Sequence, residues 1–545
     1  MAATSPNDAD PEFDAVVVGA GFSGLYMLHR LRDVLGLSTR VYEAANGVGG
    51  TWYWNRYPGA RCDSESYYYS YSFSEELQQE WVWSTKYPEQ PEILRYLEHV
   101  ADRFDLWRDI RLGSRVTRAL FRDHSDSWEI HTDQGEVVTA RFFISAMGCL
   151  SAASVPQIPG LERFEGAWYH TAAWPHEGVD FSGKAVGLIG TGSTGIQAAP
   201  VIAEEAARLT VFQRTPNYSV PARNLPLSPE QTRQIKTSYP EIRRKARQSF
   251  AGFPYEPSDK SAMEVTVEER QATYERLWAE EGGFKFIYGS YNDLLFNQNS
   301  NDTAAEFIRS KIRHIVKDPV VAERLTPRGY PYGTKRPPID TDYFETFNRA
   351  NVTLVDVRET PIIEITPAGL RTAGGAHDLD VIVFATGFDA MTGSLLRVDV
   401  RGRDQRSLKQ KWESGPMTYL GLQVAGFPNM FVITGPGSPS VLTNMPLAIE
   451  QHVEWIGDCI SHLLQRGLTR VEATEEAEAA WVDHVRQVAE LTLFPQADSW
   501  YVGANIPGKK RVFLPYVGGF APYRQHCEAV AAKGYEGFAF SSSAT

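Results

Sequence analysis

Two stretches of the chain carry the same pattern of apolar and polar positions. In the first, Val16-Val17-Val18 form a short apolar run, the turn Gly19-Ala20-Gly21-Phe22-Ser23-Gly24 follows, an apolar helical pattern runs through Leu31, and a second run ends Arg40-Val41-Tyr42-Glu43. In the second, Ala185 to Ile189 lead into Gly190-Thr191-Gly192-Ser193-Thr194-Gly195, a helical pattern runs through Ala206, and Thr210-Val211-Phe212-Gln213-Arg214 close the unit. A continuous apolar run that gives way to helical spacing marks a strand, turn, helix and strand in succession. Two such units predict an α/β protein with two Rossmann-like dinucleotide-binding domains.

Between Ser228 and Arg328 the pattern becomes charge-rich and helix-favouring. Thr303 and Glu306 have capping-box spacing, and Ala304, Phe307, Ile308, Ile312 and Ile315 form one apolar stripe before Asp318-Pro319. This region reads as a helical insertion with a solvated face and no chemistry, placed where it could roof a pocket. Further on, Leu379 to Phe384 is a buried-strand candidate ending in Ala385-Thr386-Gly387, and Asn429 to Thr434 is another ending in Gly435-Pro436-Gly437. Strand ends followed by glycine turns are where α/β sheets hold ligands.

A chain of 545 residues with 43% hydrophobic content is too long for one core. Its net charge of -13 and the lack of any Lys/Arg block argue against nucleic acid or anionic membrane as a partner, so the ligand is expected to be small. Met1 to Phe13 have neither a basic nor an apolar signal region, and no apolar run is long enough to span a bilayer. Cys62, Cys149, Cys459 and Cys527 are singletons without a C-x-x-C pair. That usage fits a cytoplasmic protein and leaves no dithiol redox centre or zinc site.

The residue closing each unit separates the two glycine turns chemically. Glu43 stands as far past Gly24 as Arg214 stands past Gly195. A carboxylate there accepts hydrogen bonds from an unsubstituted ribose, whereas a 2'-phosphate needs a cation. The first site, with Gly19, Gly21, Gly24 and Glu43, therefore suits FAD or NAD. The second, with Gly190, Gly192, Thr194, Gly195 and Arg214, suits NADPH. A strand-end charge also occurs simply as a solvated group. Without a dithiol, electrons from the two cofactors would go to oxygen or to an external acceptor.

Two further strings are more specific. Phe164, Gly166, His170, Trp174 and Pro175 precede the second glycine turn in the form F-x-G-x-x-x-H-x-x-x-W-P, and Gly49-Gly50-Thr51-Trp52 is followed by Tyr57-Pro58-Gly59 and Asp63. In these motifs, over almost its whole length, the chain resembles the type I Baeyer-Villiger monooxygenases. Many members carry an acid directly after the Trp-Pro pair, where this chain has His176 and then Glu177. The stretch Gly435 to Met445 looks closer to the phenylacetone and steroid monooxygenase branch than to the cyclohexanone branch.

The resemblance implies a fold with an FAD domain from 1–152 and 389–545, an NADP domain from 153–227 and 331–388, and the insertion at 228–330. It implies conversion of ketones, aryl, bulky cyclic or steroid-like, to esters or lactones with NADPH and O2 through a flavin C4a-peroxide. Arg336 would be the cation that stabilises the reacting oxygens, oriented by Asp63, although Lys335-Arg336 on its own reads as a surface pair. Lys335 would join Arg214 on the 2'-phosphate, Gly50, Thr51 and Trp52 would contact the flavin cofactor, and Trp500 would close on the nicotinamide nucleotide. Ser440, Val441, Leu442 and Met445 would border the substrate, and His170 would link domains. A monomer or weak homo-oligomer is expected. Two other readings stay open: a flavin monooxygenase acting mainly on sulfur or nitrogen, and a non-catalytic dinucleotide-binding redox sensor.

Overall fold

The computed structural model describes residues 10–256 and 258–542. The expectation that Met1 to Phe13 is no secretory signal falls mostly outside them. Among the described residues no helix is long and apolar enough to cross a membrane.

The strands assemble into two principal sheets, one interrupted by the other. The outer sheet is eight-stranded. Its centre is Phe13–Val18, which pairs in parallel with Thr39–Tyr42 on one side and Val137–Ser145 on the other. Val16 and Val17 are fully buried, because side chains on both faces of a parallel strand are covered. Val116–Arg122 and Ser127–Thr132 extend the sheet as an antiparallel meander. Ile110–Arg111 lies in parallel beside Thr39–Tyr42, and two strands from much later in the chain complete the sheet: Asp399–Arg401 beside Val116–Arg122, and Met430–Val432 beside Val137–Ser145.

The nested sheet is five-stranded and wholly parallel, ordered Val352–Asp356, Arg208–Gln213, Ala185–Ile189, Val381–Phe384, Ala167–His170. Both expected strand, turn, helix and strand units are present, with helices Phe22–His29 and Ser193–Glu205 after the glycine turns. The first helix continues as one π-helical turn over Arg30–Val34, so it ends beyond the expected Leu31.

The region after Ser228 is helical as expected, with Pro229–Gln248, Val267–Arg276, Gln298–Ile315 and Pro319–Leu325. The capping box expected at Thr303 and Glu306 does not form. The helix starts earlier, at Asn297, whose side chain accepts from the N–H groups of Asn299 and Ser300. Thr303 is interior, its hydroxyl donating to the Ser300 carbonyl. A capping box does form at the start of Pro229–Gln248, between Ser228 and Gln231.

Arg243 ties the insertion to the outer sheet's loops. It is buried and donates to the carbonyls of Tyr68, Ser70 and Tyr71 at 3.1 Å each. From the opposite side Glu450, on the helix Met445–Gln465, accepts from the N–H groups of Ser72 and Phe73. The segment 68–73 is thereby clamped between a cation on its carbonyls and a carboxylate on its amides. Replacing Arg243 by methionine leaves the buried Ser70 and Tyr71 carbonyls unanswered, at about 1–3 kcal/mol each, while the Tyr68 carbonyl keeps the Asn444 side-chain amide at 2.8 Å. We expect the melting temperature to fall by several degrees. An unchanged melting curve would show that the segment is held by other contacts.

Candidate functional site

The two glycine turns solve one steric problem in the same way. Gly19 and Gly190 have φ of +105° and +113°, and a Cβ on either would lie 2.5 Å from the Ala146 carbonyl oxygen or 2.4 Å from that of Ala385. Both alanines follow a neighbouring parallel strand, which therefore sets how tightly the chain must turn. At the third position, a Cβ on Gly24 would sit 1.8 Å from the Gly19 oxygen, and one on Gly195 2.1 Å from the Gly190 oxygen. Only glycine lets the helix start there. Gly192 differs: no atom lies within 4 Å of a Cβ placed on it. That open side, in front of the N-terminus of Ser193–Glu205, is what an approaching pyrophosphate requires, so these residues fit a dinucleotide. The first turn also receives Gly49-Gly50. Gly49 N–H donates to the Ala20 carbonyl at 2.9 Å, and a Cβ on Gly21 would lie 3.3 Å from Gly50 Cα. Thr51 and Trp52 open the short helical turn Thr51–Trp54, with Trp52 buried and donating to the Tyr69 hydroxyl at 3.2 Å.

The two strand-end charges are held differently. Glu43 is buried, and its carboxylate accepts from Ala20 N–H at 2.7 Å and Ala45 N–H at 2.8 Å. Burial raises its pKa while those amides oppose the rise. Arg214 is exposed. Lys335 lies close enough to it that burial, then repulsion from Arg214, lowers the lysine pKa. Its Nζ sits 4.7 Å from the centre of the Tyr330 ring. Two cations held near each other suit a doubly charged phosphate between them.

Arg336 is bound from four sides. Its Nε and Nη2 donate to the two oxygens of Asp63 at 2.7 and 2.8 Å, and its Nη1 donates to the Val441 carbonyl at 2.8 Å. The guanidinium lies over the Phe284 ring, 4.9 Å from its centre. Burial works against the charge, but Asp63 more than offsets it and the arginine pKa rises. Tyr501 lies beside it, and Tyr288 is close enough that Arg336 partly offsets the burial that pushes the Tyr288 phenol up to about 12. Of the five N–H bonds in a guanidinium, Asp63 and Val441 engage three, leaving one on Nη1 and one on Nη2, with the Tyr501 hydroxyl within hydrogen-bonding reach of the guanidinium.

Trp500 packs at a tilt against Tyr501, with ring centres 4.3 Å apart, which puts it one ring from Arg336. Ser440, Val441 and Leu442 form a short 3-10 turn, and Met445 begins the helix behind it. Leu442 and Tyr288 share a mostly apolar depression with Phe250, Leu295 and Phe494.

The string from Phe164 to Pro175 is internal. His170 Nδ1 accepts from Ala172 N–H at 3.1 Å, and its Nε2 meets the Thr386 hydroxyl at 3.3 Å. That hydroxyl donates to the Ser154 carbonyl, so His170 joins the end of its strand to the Ala385-Thr386-Gly387 turn. Burial lowers its pKa. Trp174 packs between Tyr169 and Phe181, and a Cβ on Gly166 would sit 2.3 Å from the Asp380 carbonyl oxygen, close to the Phe164 ring. Pro175 follows in the same turn. Tyr57 donates to Gln197 at 2.8 Å, which joins the string from Gly49 to Asp63 to the second unit's helix.

Sequence reasoning missed Phe284 and Tyr288, which lie in the insertion read as chemically silent, and Tyr501. It also missed the latch in which Lys509 donates to Asp389 at 2.5 Å and Asn505 to the Phe388 carbonyl at 2.7 Å. Nothing in the local pattern of these residues distinguishes them from core aromatics and surface charges.

The family described as pyridine nucleotide-disulphide oxidoreductase matches residues 16–275. All four cysteines here are free. A Baeyer-Villiger monooxygenase of Pseudooceanicola batsensis is 46% identical over 525 residues, covering 96% of this chain and 95% of that one. This chain belongs to the Baeyer-Villiger monooxygenases. An oxidized steroid monooxygenase bound to NADP has a TM-score of 0.93 at 54% identity, covering 97% of this chain and 99% of that one. A phenazine N-monooxygenase of Lysobacter antibioticus is 44% identical over 531 residues, 97% of each chain. A cation pair at Arg214 and Lys335 suits a phosphorylated nicotinamide cofactor better than an unphosphorylated one. Changing both to neutral residues is expected to raise the KM for NADPH at least ~10-fold and to leave NADH almost unaffected in steady-state assays. Equal losses with both cofactors would refute the assignment.

Proposed function

We propose that this monooxygenase converts a ketone, O2, NADPH and a proton into an ester or lactone, NADP+ and water. FAD bound at the first glycine turn would take a hydride from NADPH and supply one oxygen atom of O2 to the substrate. The observation that carries the reading is Arg336, held by the forked pair to Asp63 at 2.7 and 2.8 Å with two N–H bonds that neither Asp63 nor Val441 takes. As oxygen adds to a ketone, negative charge develops on the former carbonyl oxygen, and a cation already in place stabilises it without reorganising. Asp63 orients the guanidinium; its own charge keeps Arg336 from pairing elsewhere.

Glu43 would face the ribose of FAD, with Gly50, Thr51 and Trp52 beside the flavin. Arg214 and Lys335 would hold the 2'-phosphate. Trp500 and Tyr501 would exclude water from the reacting atoms. The turn from Ser440 to Leu442, with Met445, would border the ketone, and its apolar and aromatic surroundings favour aryl, bulky cyclic or steroid-like substrates. His170 and Trp174 would serve the junction between an FAD domain, residues 1–152 and 389–545, and an NADP domain, residues 153–227 and 331–388, with the insertion at 228–330.

A relative that oxidises phenazine nitrogen keeps heteroatom oxidation as the second reading, and a panel of ketones, thioethers and amines with mass detection of products one oxygen heavier separates the two. A non-catalytic sensor would have no use for the oriented guanidinium. In Arg336→Ala, NADPH should still reduce the flavin while ester formation falls about 10²-fold or more. Ester formation at near the wild-type rate would remove Arg336 from the mechanism.

A further inference from the structure

The Val441 carbonyl that receives Arg336 lies on a turn whose backbone is strained, and the strain is held from the far side of the domain. Thr434 and Ser440 have φ of +57° and +42°, and Leu420, in a tight turn packed under them, has +58°. All three are buried, and none is the glycine that such angles favour. A Cβ on the neighbouring Gly421 would lie 2.6 Å from Ser438, so the two turns fit closely.

One directed series of hydrogen bonds joins these residues. Thr434 N–H donates to His452 Nδ1 at 2.9 Å, which leaves the ring proton on Nε2. Nε2 lies 3.0 Å from the Tyr523 hydroxyl, which in turn donates to the Leu420 carbonyl at 2.7 Å. On the other side, the Ser440 hydroxyl donates to the Thr434 carbonyl at 3.2 Å, and the next residue, Val441, accepts from Arg336. His452 and Tyr523 are fully buried and touch neither glycine turn in any bond described above. Burial pushes the His452 pKa down to about 3, so the ring stays neutral and keeps its acceptor toward Thr434.

We infer that His452 and Tyr523 are positioning residues for the oxygen-insertion step, fixing the left-handed turn that places the Val441 carbonyl against Arg336. The inference rests on the role proposed for Arg336. Without the imidazole acceptor, Thr434 N–H is buried and unmet, the turn relaxes, and the guanidinium loses the contact that fixes its Nη1.

The test uses the FAD-loaded full chain and three variants, with FAD content read from absorbance as the check on folding. His452→Phe and Tyr523→Phe should keep the flavin and its rate of reduction by NADPH. Ester formation should fall about tenfold in kcat, the size expected for one hydrogen bond felt at the transition state. The ketone KM should stay within about twofold, because binding is not the affected step. More of the NADPH consumed should appear as hydrogen peroxide. His452→Asn, whose amide oxygen can still accept from Thr434, should recover part of the loss.

Unchanged kcat and product yield in both phenylalanine variants would overturn the inference. So would reduction and insertion declining in equal proportion, the mark of a purely structural role. Arg336→Ala run alongside separates the two levels: if it lowers ester formation about 10²-fold while His452→Phe leaves it unchanged, only the positioning role falls; if Arg336→Ala itself leaves it unchanged, both fall.

Discussion

Everything in the site is arranged around keeping one guanidinium charged in a place mostly closed to water. The side chains of Arg336 and Asp63 are only 24% and 19% exposed. An isolated cation so placed would be costly, and a loosely paired one would wander. The forked geometry removes both difficulties, since two parallel N–H bonds fix the plane as well as the charge. The Phe284 face and the Val441 carbonyl then hold two further directions without adding a second negative charge that would neutralise the arginine altogether.

The two nucleotide sites show how similar backbone geometry accommodates opposite charges. Each turn places its first glycine against the carbonyl of an alanine that follows a neighbouring parallel strand. Beyond that the sites diverge. Glu43 is folded into its own turn, where backbone amides offset its desolvation. Arg214 remains in water, and Lys335 joins it at some loss of basicity. An acid can be satisfied by the protein's own N–H groups, whereas a pair of like cations gains most when an anion arrives from outside.

Local pattern made the glycine units legible, because strand, turn and helix succeed one another within about thirty residues. The strand Ala185–Ile189 has the bounds its apolar run indicates. The misread capping box has a local cause as well. Gln298 to Asp302 is polar, so the apolar stripe begins about two turns after the true N-cap at Asn297. The arginine's surroundings were beyond such reasoning. Asp63, Phe284, Val441 and Tyr501 reach Arg336 from remote parts of the chain, and only the resemblance to a family, not spacing, singled out Asp63. Phe284 and Tyr288 sit in a charge-rich region where nothing in the pattern separates a residue lining the site from one filling a core.

The nesting of the sheets bears on how the molecule is made. All five strands of the inner sheet lie between Ala167 and Phe384, whereas the outer sheet begins at Phe13 and receives its last two strands only at Asp399–Arg401 and Met430–Val432. On a ribosome the chain emerges from its N-terminus, so the unit encoded second has its full complement of strands first. The outer unit meanwhile waits with the edges of Val116–Arg122 and Val137–Ser145 unpaired. A nascent chain of this enzyme thus carries two sticky sheet margins for more than half of its synthesis, the interval in which a chaperone would have most to protect.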